Sequence, residues 1–386
     1  MRTVNWASRR CGRGAGTVAG GRVALAIFAD LLGILSKGRT IIAVSGTNGK
    51  TTTTAMVAQG WDVGTVTNDT GANMPAGHVA ALASSGTHVA LEVDEAWLEE
   101  VVARTSPAVI VALNLSRDQL DRAGEVRQLA ERWRRVLGGA AGVVVANAND
   151  PLIVYAAETA SRVVWVDVAT AWRADAQSCP HCTRALVFED DSWHCACGFK
   201  KPEALGARLN DDAFVGEVRY DLVLGIPGEF NRSNALMALV ALGAIGVDLQ
   251  EAARRIVAIT TVAGRYAQRS WRGRHLRLLL AKNPAGFEAM LSVLGPEEHD
   301  VLIAINARVA DGRDPSWLYD VGFERLRGRR VWCLGERRLD LATRLWYAGV
   351  DAEVVDDDAA VLESNATSLV ANYTAFSDWI ARTSPC

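Results

Sequence analysis

Val44-Ser45-Gly46-Thr47-Asn48-Gly49-Lys50-Thr51-Thr52-Thr53 follows the apolar run Arg39 to Ser45 and puts a lysine and a row of hydroxyls where a nucleotide phosphate would sit. The apolar run reads as a buried strand, and the Thr-rich segment as the first turn of a helix whose amides can hold an anion. Glycines at 46 and 49 let the backbone close around phosphate oxygens. Lys50 then offsets charge on the β and γ phosphates, and the Thr51 hydroxyl ligates the accompanying magnesium. Gly46, Thr47, Asn48, Gly49, Lys50, Thr51 and Thr52 are therefore the candidate ATP-binding residues. The general P-loop pattern has glycine at position 44, where this chain has Val44, so the match is to the shorter form G-T-N-G-K-T. The alternative is a polar turn that merely caps a helix.

The 386 residues predict two to three domains, and 49% hydrophobic with 22% charged residues suffices for ordinary cores. A formal net charge of −3 gives no reason to expect nucleic acid as a partner. Arg9, Arg10 and Arg13 precede the apolar run Val23 to Leu35, which superficially copies a signal peptide. Asp30 interrupts that run, it is too short to span a bilayer, and no cleavage signal follows. It reads as a core or interface helix, with membrane-surface contact as the other reading. The ATP site predicts cytoplasmic residence.

Four of the seven cysteines cluster, in Cys179-Pro-His-Cys182 and Cys195-Ala-Cys197-Gly198, separated by a segment that can form a small hairpin. Two such knuckles can close a thiolate tetrahedron around zinc, which leaves no open position and so predicts a structural metal. Disulfide bonding competes, but an ATP site belongs in a reducing compartment. His181 and His194 read as solvent-facing loop residues. Cys11, Cys333 and Cys386 are scattered, with nothing nearby to mark a nucleophile.

Strand and helix signals alternate, the pattern of an α/β fold with a parallel sheet covered by helices. Candidate strands are 63–67, 88–93, 108–113, 142–146 and 163–166. Ligands gather at the carboxyl ends of such strands. One end delivers Glu92 and Asp94-Glu95, an acidic group beside the P-loop suited to magnesium; the next delivers the charged stretch Asn114 to Glu125, which reads equally as a solvated helix start. Asn231 and Asn234 lie in the first turns of an apolar helix opening after Gly228. A second small α/β unit follows Gly264-Arg265, with strands at 276–280, 301–305, 331–334 and 352–355, and a loop from Asn306 to Asp320 dense in charge and aromatic residues.

G-T-N-G-K-T, the Asn231/Asn234 helix opening and the Asn283-Pro284 turn together resemble the Mur ligase superfamily, which joins an amine to a carboxylate through an acyl phosphate. Further marks narrow the resemblance to the branch that amidates a peptidoglycan precursor: T-G-A-N-M at 70–74, E-V-D-E at 92–95, R-D-Q-L-D-R at 117–122, the four-cysteine insertion, A-K-N-P-A-G-F at 281–287, A-D-G-R-D-P-S-W at 310–317 and N-Y-T-A at 372–375. They span nearly the whole chain. The resemblance implies an N-terminal helical segment (1–38), a Mur ligase-like ATP-binding domain (39–265) with a four-cysteine zinc-ribbon insertion at about 176–202, and a smaller Rossmann-like α/β domain (266–386). It implies ATP-dependent amidation of the α-carboxylate of D-glutamate in the lipid II stem peptide, giving D-isoglutamine. Lys50, and magnesium held by Thr51 and Glu92, would gather charge on the transferred phosphoryl group, while Asn231 and Asn234 approach the adenine. The bland role for the asparagines is helix capping.

No cysteine here has a nucleophile setting, so ammonia must come from elsewhere. The resemblance implies a separate GatD-type glutaminase subunit, a hetero-oligomer acting on lipid II at the inner face of the membrane, and a catalytic Asp314 that serves the partner's glutaminase site in trans; capping of the Pro315-Ser316-Trp317 turn is the alternative for Asp314. A stand-alone amino acid ligase, of Mur or folylpolyglutamate synthase type, and a non-catalytic nucleotide-binding protein are the other functional readings.

Overall fold

The computed structural model describes residues 18–385 apart from 69–70, 118–125, 170–171, 191, 263, 357–360 and 362. The N-terminal arginines, Cys11, Cys386 and the charged stretch after Arg117 through Glu125 therefore lie outside the described residues. The chain divides into two compact units. The first takes the described residues up to Ser116, those from 126 to Gly225, and Glu229–Thr260; the second takes Arg117, Ile226–Gly228 and residues from Thr261 onward.

The first unit is built on a nine-stranded sheet. Its strands are β1 (Thr40–Ser45), β2 (Val66–Thr67), β3 (His88–Val93), β4 (Val109–Ala112), β5 (Val143–Asn147) and β6 (Val163–Asp167), then β9 (Ala207–Leu209), β10 (Ala213–Val215) and β11 (Val218–Tyr220). A separate hairpin pairs β7 (Val187–Phe188) with β8 (Trp193–His194). The order across the sheet is β11-β10-β9-β6-β5-β4-β1-β3-β2, parallel from β2 to β9 and antiparallel at the β9–β11 edge. β1 sits in the interior of the sheet, where near-continuous apolar runs are required because both faces are covered. One face carries Ile41, Ala43, Leu91, Ile110 and Val144 against helices Pro75–Leu82, Leu98–Thr105, Val126–Gly138 and Pro151–Ala157. Helices Lys50–Trp61, Glu229–Gly243 and Leu249–Val257 pack together elsewhere on the sheet, the second of them against β4, β5 and β9.

The apolar run Val23–Leu35 is two short helices, Ala19–Ile27 and Leu31–Ser36. The break falls at Asp30, whose carboxylate pairs with Arg104 at 2.8 Å. Leu32 is core, as expected of this run, but Ile27, Phe28 and Ile34 are exposed. Gly21 lets the first helix touch helix Pro75–Leu82 backbone to side: a Cβ there would lie 1.9 Å from the Ala76 carbonyl oxygen.

The second unit is a seven-stranded sheet in the order β16-β15-β14-β17-β13-β12-β18. The strands are β12 (Tyr266–Trp271), β13 (Arg274–Leu280), β14 (Asp300–Ala304), β15 (Arg330–Leu334), β16 (Asp351–Val354), β17 (Ser368–Ala371) and β18 (Ser384–Pro385). β13 to β16 and β17 are parallel, while β12 and β18 form an antiparallel edge. Separate clusters fill the two faces, one around Phe287, Phe323 and Leu345, the other around Trp271, Trp332 and Trp379.

Candidate functional site

β1 ends at Ser45, and its register with β3 sets Val44 opposite Glu92 and Ser45 opposite Val93. Glu92 therefore emerges one strand away from the loop that follows. Gly46 and Gly49 have φ of 144° and 89°, a region only glycine enters freely. Space forbids a side chain as well: a Cβ on Gly49 would meet Asn234 Oδ1 at 2.6 Å, and one on Gly46 would meet Leu113 Cβ at 2.8 Å. Helix Lys50–Trp61 starts at Lys50 without a side-chain cap, so the loop amides are its N-terminus.

Lys50 is buried, 3% exposed, rather than standing on a surface loop. Its ammonium donates to the Gly46 carbonyl at 2.5 Å, the Thr47 carbonyl at 3.1 Å and Glu95 Oε2 at 2.8 Å. Thr51 and Thr52 are buried beside it. Glu92 is 1% exposed. Its Oε1 accepts from Asn73 Nδ2 at 3.2 Å, and its Oε2 is buried with no partner among the described residues. A buried carboxylate oxygen left unsatisfied is costly, and a divalent cation is the chemistry that satisfies it. The buried Glu92 carboxylate thus fits a divalent cation such as magnesium.

Residues not singled out from the sequence hold this arrangement. Asn114, just past β4, exchanges two hydrogen bonds with Asn48: its Oδ1 accepts from the Asn48 amide at 2.9 Å and its Nδ2 donates to the Asn48 carbonyl at 3.0 Å. Thr47 Oγ1 donates to the Ser116 carbonyl at 3.1 Å and accepts from the Ser116 amide at 3.0 Å. Asn68 brackets Glu92, accepting from its amide and donating to its carbonyl, both at 2.8 Å. Buried His78 donates from Nε2 to the same carbonyl at 2.9 Å, and burial lowers its pKa to about 4, so it is neutral there. The signal for Asn114 and Ser116 was present only as polar residues after an apolar run; their partners lie on another strand's loop.

Asp150 sits behind this wall. Its Oδ1 caps helix Pro151–Ala157 by accepting from the Leu152 and Ile153 amides, and its Oδ2 accepts from the Leu115 amide at 2.9 Å. Complete burial raises its pKa from 3.8 to about 6. A carboxyl with a raised folded-state pKa binds its proton more tightly in the folded chain, so its contribution to stability falls as pH rises from 3.8 to 6. Asp150→Asn removes that slope. The variant's stability deficit relative to the natural chain should be larger at pH 4 and shrink by about 2 kcal/mol by pH 6.5. Denaturant titrations at both pH values read the difference; an unchanged deficit would mean that Asp150 is not protonated more readily in the folded state.

Asn231 is the third residue of helix Glu229–Gly243, so it does not cap that helix; its Oδ1 accepts from Asn234 Nδ2 at 3.4 Å, and Asn234 abuts Gly49. Both asparagines are buried. The P-loop, Glu92 and the two asparagines are thus one cluster in the first unit. Gly49→Ala should lower nucleotide affinity by tenfold or more through the contact with Asn234 and the left-handed backbone, on the order of 1–3 kcal/mol. Calorimetric titration with ATP checks it.

The four cysteines converge: their sulfurs lie within 4.8 Å of one another, with Cys179 to Cys197 at 3.6 Å and Cys182 to Cys195 at 3.4 Å. Sulfurs about 2.3 Å from a central zinc stand at close to these separations in a tetrahedron. Left-handed Thr183 and Gly198 close the two knuckles, and β7–β8 joins them. Trp193 and Phe199 pack the ribbon onto Val154. His181 is not among the converging ligands; it pairs with Glu158 at 2.8 Å and stands edge-on to Tyr155 and Phe199.

Asp314 belongs to the second unit. It is exposed, and its Oδ1 accepts from the Ser316 amide at 2.9 Å, capping the turn Ser316–Asp320. The Ser316 amide and hydroxyl hold its carboxyl below the usual range. It lines a recess of about 80 Å³ with Lys282, Asn283 and Trp317. Asp311, nearby in sequence, is buried instead and accepts from the Thr374 amide at 2.8 Å, tying the 310–317 loop to the segment after β17.

Residues 44–242 match the Mur ligase middle domain, and residues 280–376 match the MurT ligase C-terminal domain. A relative named lipid II isoglutaminyl synthase (glutamine-hydrolyzing) subunit MurT, from Staphylococcus aureus strain COL, is 30% identical over 90% of this chain and 86% of its own length. One of the same name from Streptococcus pneumoniae strain ATCC BAA-255 / R6 is 29% identical, covering 92% and 87%. Among solved structures, a pseudomurein peptide ligase type C from Methanothermus fervidus superposes with a TM-score of 0.69 at 18% identity, over 90% of this chain and 79% of that one. MurF from Acinetobacter baumannii gives 0.63 at 18%, over 93% and 80%. At those identities the structures speak for the fold.

Proposed function

The chain belongs to the Mur ligase family, with the MurT proteins, and on that premise we propose that it is the ATP-using subunit of a lipid II isoglutaminyl synthase. The observation that carries this reading is the joining of two features in one chain: a P-loop beside buried Glu92, whose Oε2 has no partner among the described residues, and a C-terminal unit of the MurT type. A ligase that adds amino acids would share the first feature. The second argues for amidation.

In this reading the stem-peptide D-glutamate α-carboxylate oxygen attacks the γ-phosphorus of ATP, and ADP leaves with the bridging oxygen. Ammonia then attacks the acyl carbon, phosphate departs with the electron pair, and a proton is released to solvent. Carboxylate itself would have to expel oxide, which is why the phosphoryl group is spent. Lys50 and the loop amides meet the charge on the phosphates, and the Asn48–Asn114 and Thr47–Ser116 bonds keep those donors aimed before substrate arrives. Glu92 and Thr51 would hold magnesium, which supplies further neutralisation of the transferred group. Asn231 and Asn234 would face the adenine. The four cysteines would hold one zinc as a structural clamp, with no open position for chemistry.

Ammonia would come from a GatD-type glutaminase subunit, consistent with the word subunit in the relatives' names. Asp314 would orient the partner's histidine base, with the Ser316 amide and hydroxyl fixing the carboxylate for that role. Asp314→Asn should leave complex formation and ammonia-driven amidation near normal while glutamine-driven amidation falls by about a hundredfold or more. Equal loss with both nitrogen sources would assign Asp314 to the synthetase reaction or the local turn. The overall test is co-expression with the glutaminase-like protein and mass analysis of lipid II after glutamine and ATP are added. A carboxylate-to-amide shift is expected; its absence with both proteins folded sinks the reading.

A further inference from the structure

Helix Ala19–Ile27 buries Gly20 and Gly21, half-buries Ala24 and Leu25, and turns outward Arg22, Val23, Ala26 and Ile27. That spacing of i, i+1, i+4 and i+5 is one helical stripe. Outward stripes are ordinarily polar. This one exposes Val23 at 44% and Ile27 at 66%, followed by Phe28 at 59% and, in the next helix, Ile34 at 51%.

Charge along this stretch of sequence is one-sided. Arg22 and Lys37 are exposed. Asp30, the single acid in residues 18–37, is engaged by Arg104, which also pairs with Glu100. The sequence before the helix adds Arg2, Arg9, Arg10, Arg13 and Trp6 with no acid. Six basic residues and one acidic one thus fall within residues 1–37 of a chain whose net charge is −3, so the remainder is distinctly more acidic. Exposed apolar side chains in a basic stretch of chain match the interface of an anionic bilayer, where rings and branched chains enter the headgroup boundary and basic residues meet phosphates. Among the described residues no helix is long and apolar enough to cross a membrane, so the fit is to lying on the surface.

We propose that the face formed by Val23, Ile27, Phe28 and Ile34 with Arg22 and Lys37 docks the protein on the surface of an anionic bilayer. The face stands on its own geometry; the amidation reading gives it a use, because a lipid-linked substrate is held at that surface. The full chain should float with vesicles containing phosphatidylglycerol and about tenfold less with pure phosphatidylcholine, with binding weakened by salt. No lipid II is included, so failure here leaves the amidation reading intact. Ile27→Glu with Phe28→Glu should cut partitioning by about tenfold or more while ATP affinity is unchanged. Arg22→Gln with Lys37→Gln should weaken the preference for the anionic lipid severalfold. Absence of partitioning into phosphatidylglycerol vesicles overturns the proposal, as does partitioning that both variants leave untouched. A vesicle-free dimer lost in the Ile27/Phe28 variant would overturn it too, by assigning the face to a second copy.

Discussion

Lys50→Ala is expected to reduce ATP turnover by a thousandfold or more while the chain stays folded. The magnitude follows from removing a full positive charge from a phosphoryl-transfer site, where even one neutral donor is worth about 10²–10³ in kcat. Stability will not be untouched. Lys50 is 3% exposed and holds Glu95 at 2.8 Å, so its removal takes the ion pair from a partly buried carboxylate at a cost of about 1–3 kcal/mol. Glu95→Gln in the Lys50→Ala background relieves that cost without restoring turnover, which separates charge stabilisation of the reaction from charge balance of the fold. Turnover near the natural rate in Lys50→Ala would exclude this loop as the ATP site.

Purified protein should carry about one zinc, and Cys195→Ser should lose it together with most of the ribbon's order. Structural zinc contributes as much as 10–16 kcal/mol of apparent binding energy in small zinc-finger peptides, so few other substitutions here will cost as much. The damage should spread along known contacts. Trp193 donates to the Ala148 carbonyl at 3.2 Å and packs on Val154, and both neighbours flank Asp150, which holds Leu115 beside the P-loop. Nucleotide affinity should therefore weaken by a few-fold while proteolysis within the ribbon accelerates far more. Metal analysis, limited proteolysis and ATP titration on one preparation check all three, and metal-free protein with a normal melting temperature would count against the site.

The α/β class, the P-loop and the cysteine tetrad were legible because each is written locally, in apolar runs or fixed spacings. β1, β3, β4, β5, β6, β13, β14, β15 and β16 fall within a residue or two of the expected runs. The strand expected from Val63 shrinks to β2, since Val63 itself is fully solvent-facing in the preceding turn. The antiparallel edge β9–β11 was not read, because strands of three residues, even the apolar Ala213-Phe214-Val215, are too short to stand out and are defined by their partners. β17 was missed as well: Ser368-Leu-Val-Ala is too short to stand out, yet it lies between β13 and β14 with all four residues buried. The supporting shell of the site was invisible for the same reason. Asn68, His78, Asn114 and Asp150 act on residues from 14 to 66 positions away, and nothing in their own neighbourhoods announces it.

β6 and β9 are parallel neighbours, and such neighbours need a crossover connection, usually supplied by a helix. Here the crossover is the cysteine ribbon. The edge strands β9–β11 can join the sheet only after the chain from 168 to 206 has returned, a slow loop-closing search for a connection whose described residues hold no α-helix to guide it. Four thiolates gathered on one ion would pinch out residues 179–197 and shorten that search before the sheet is complete. Refolding in the presence of chelator should then show a slower final phase confined to residues 207–220, with the P-loop end of the sheet already protected against hydrogen exchange. The rate at which this chain becomes a finished molecule would be set by the supply of a metal that takes no part in its chemistry.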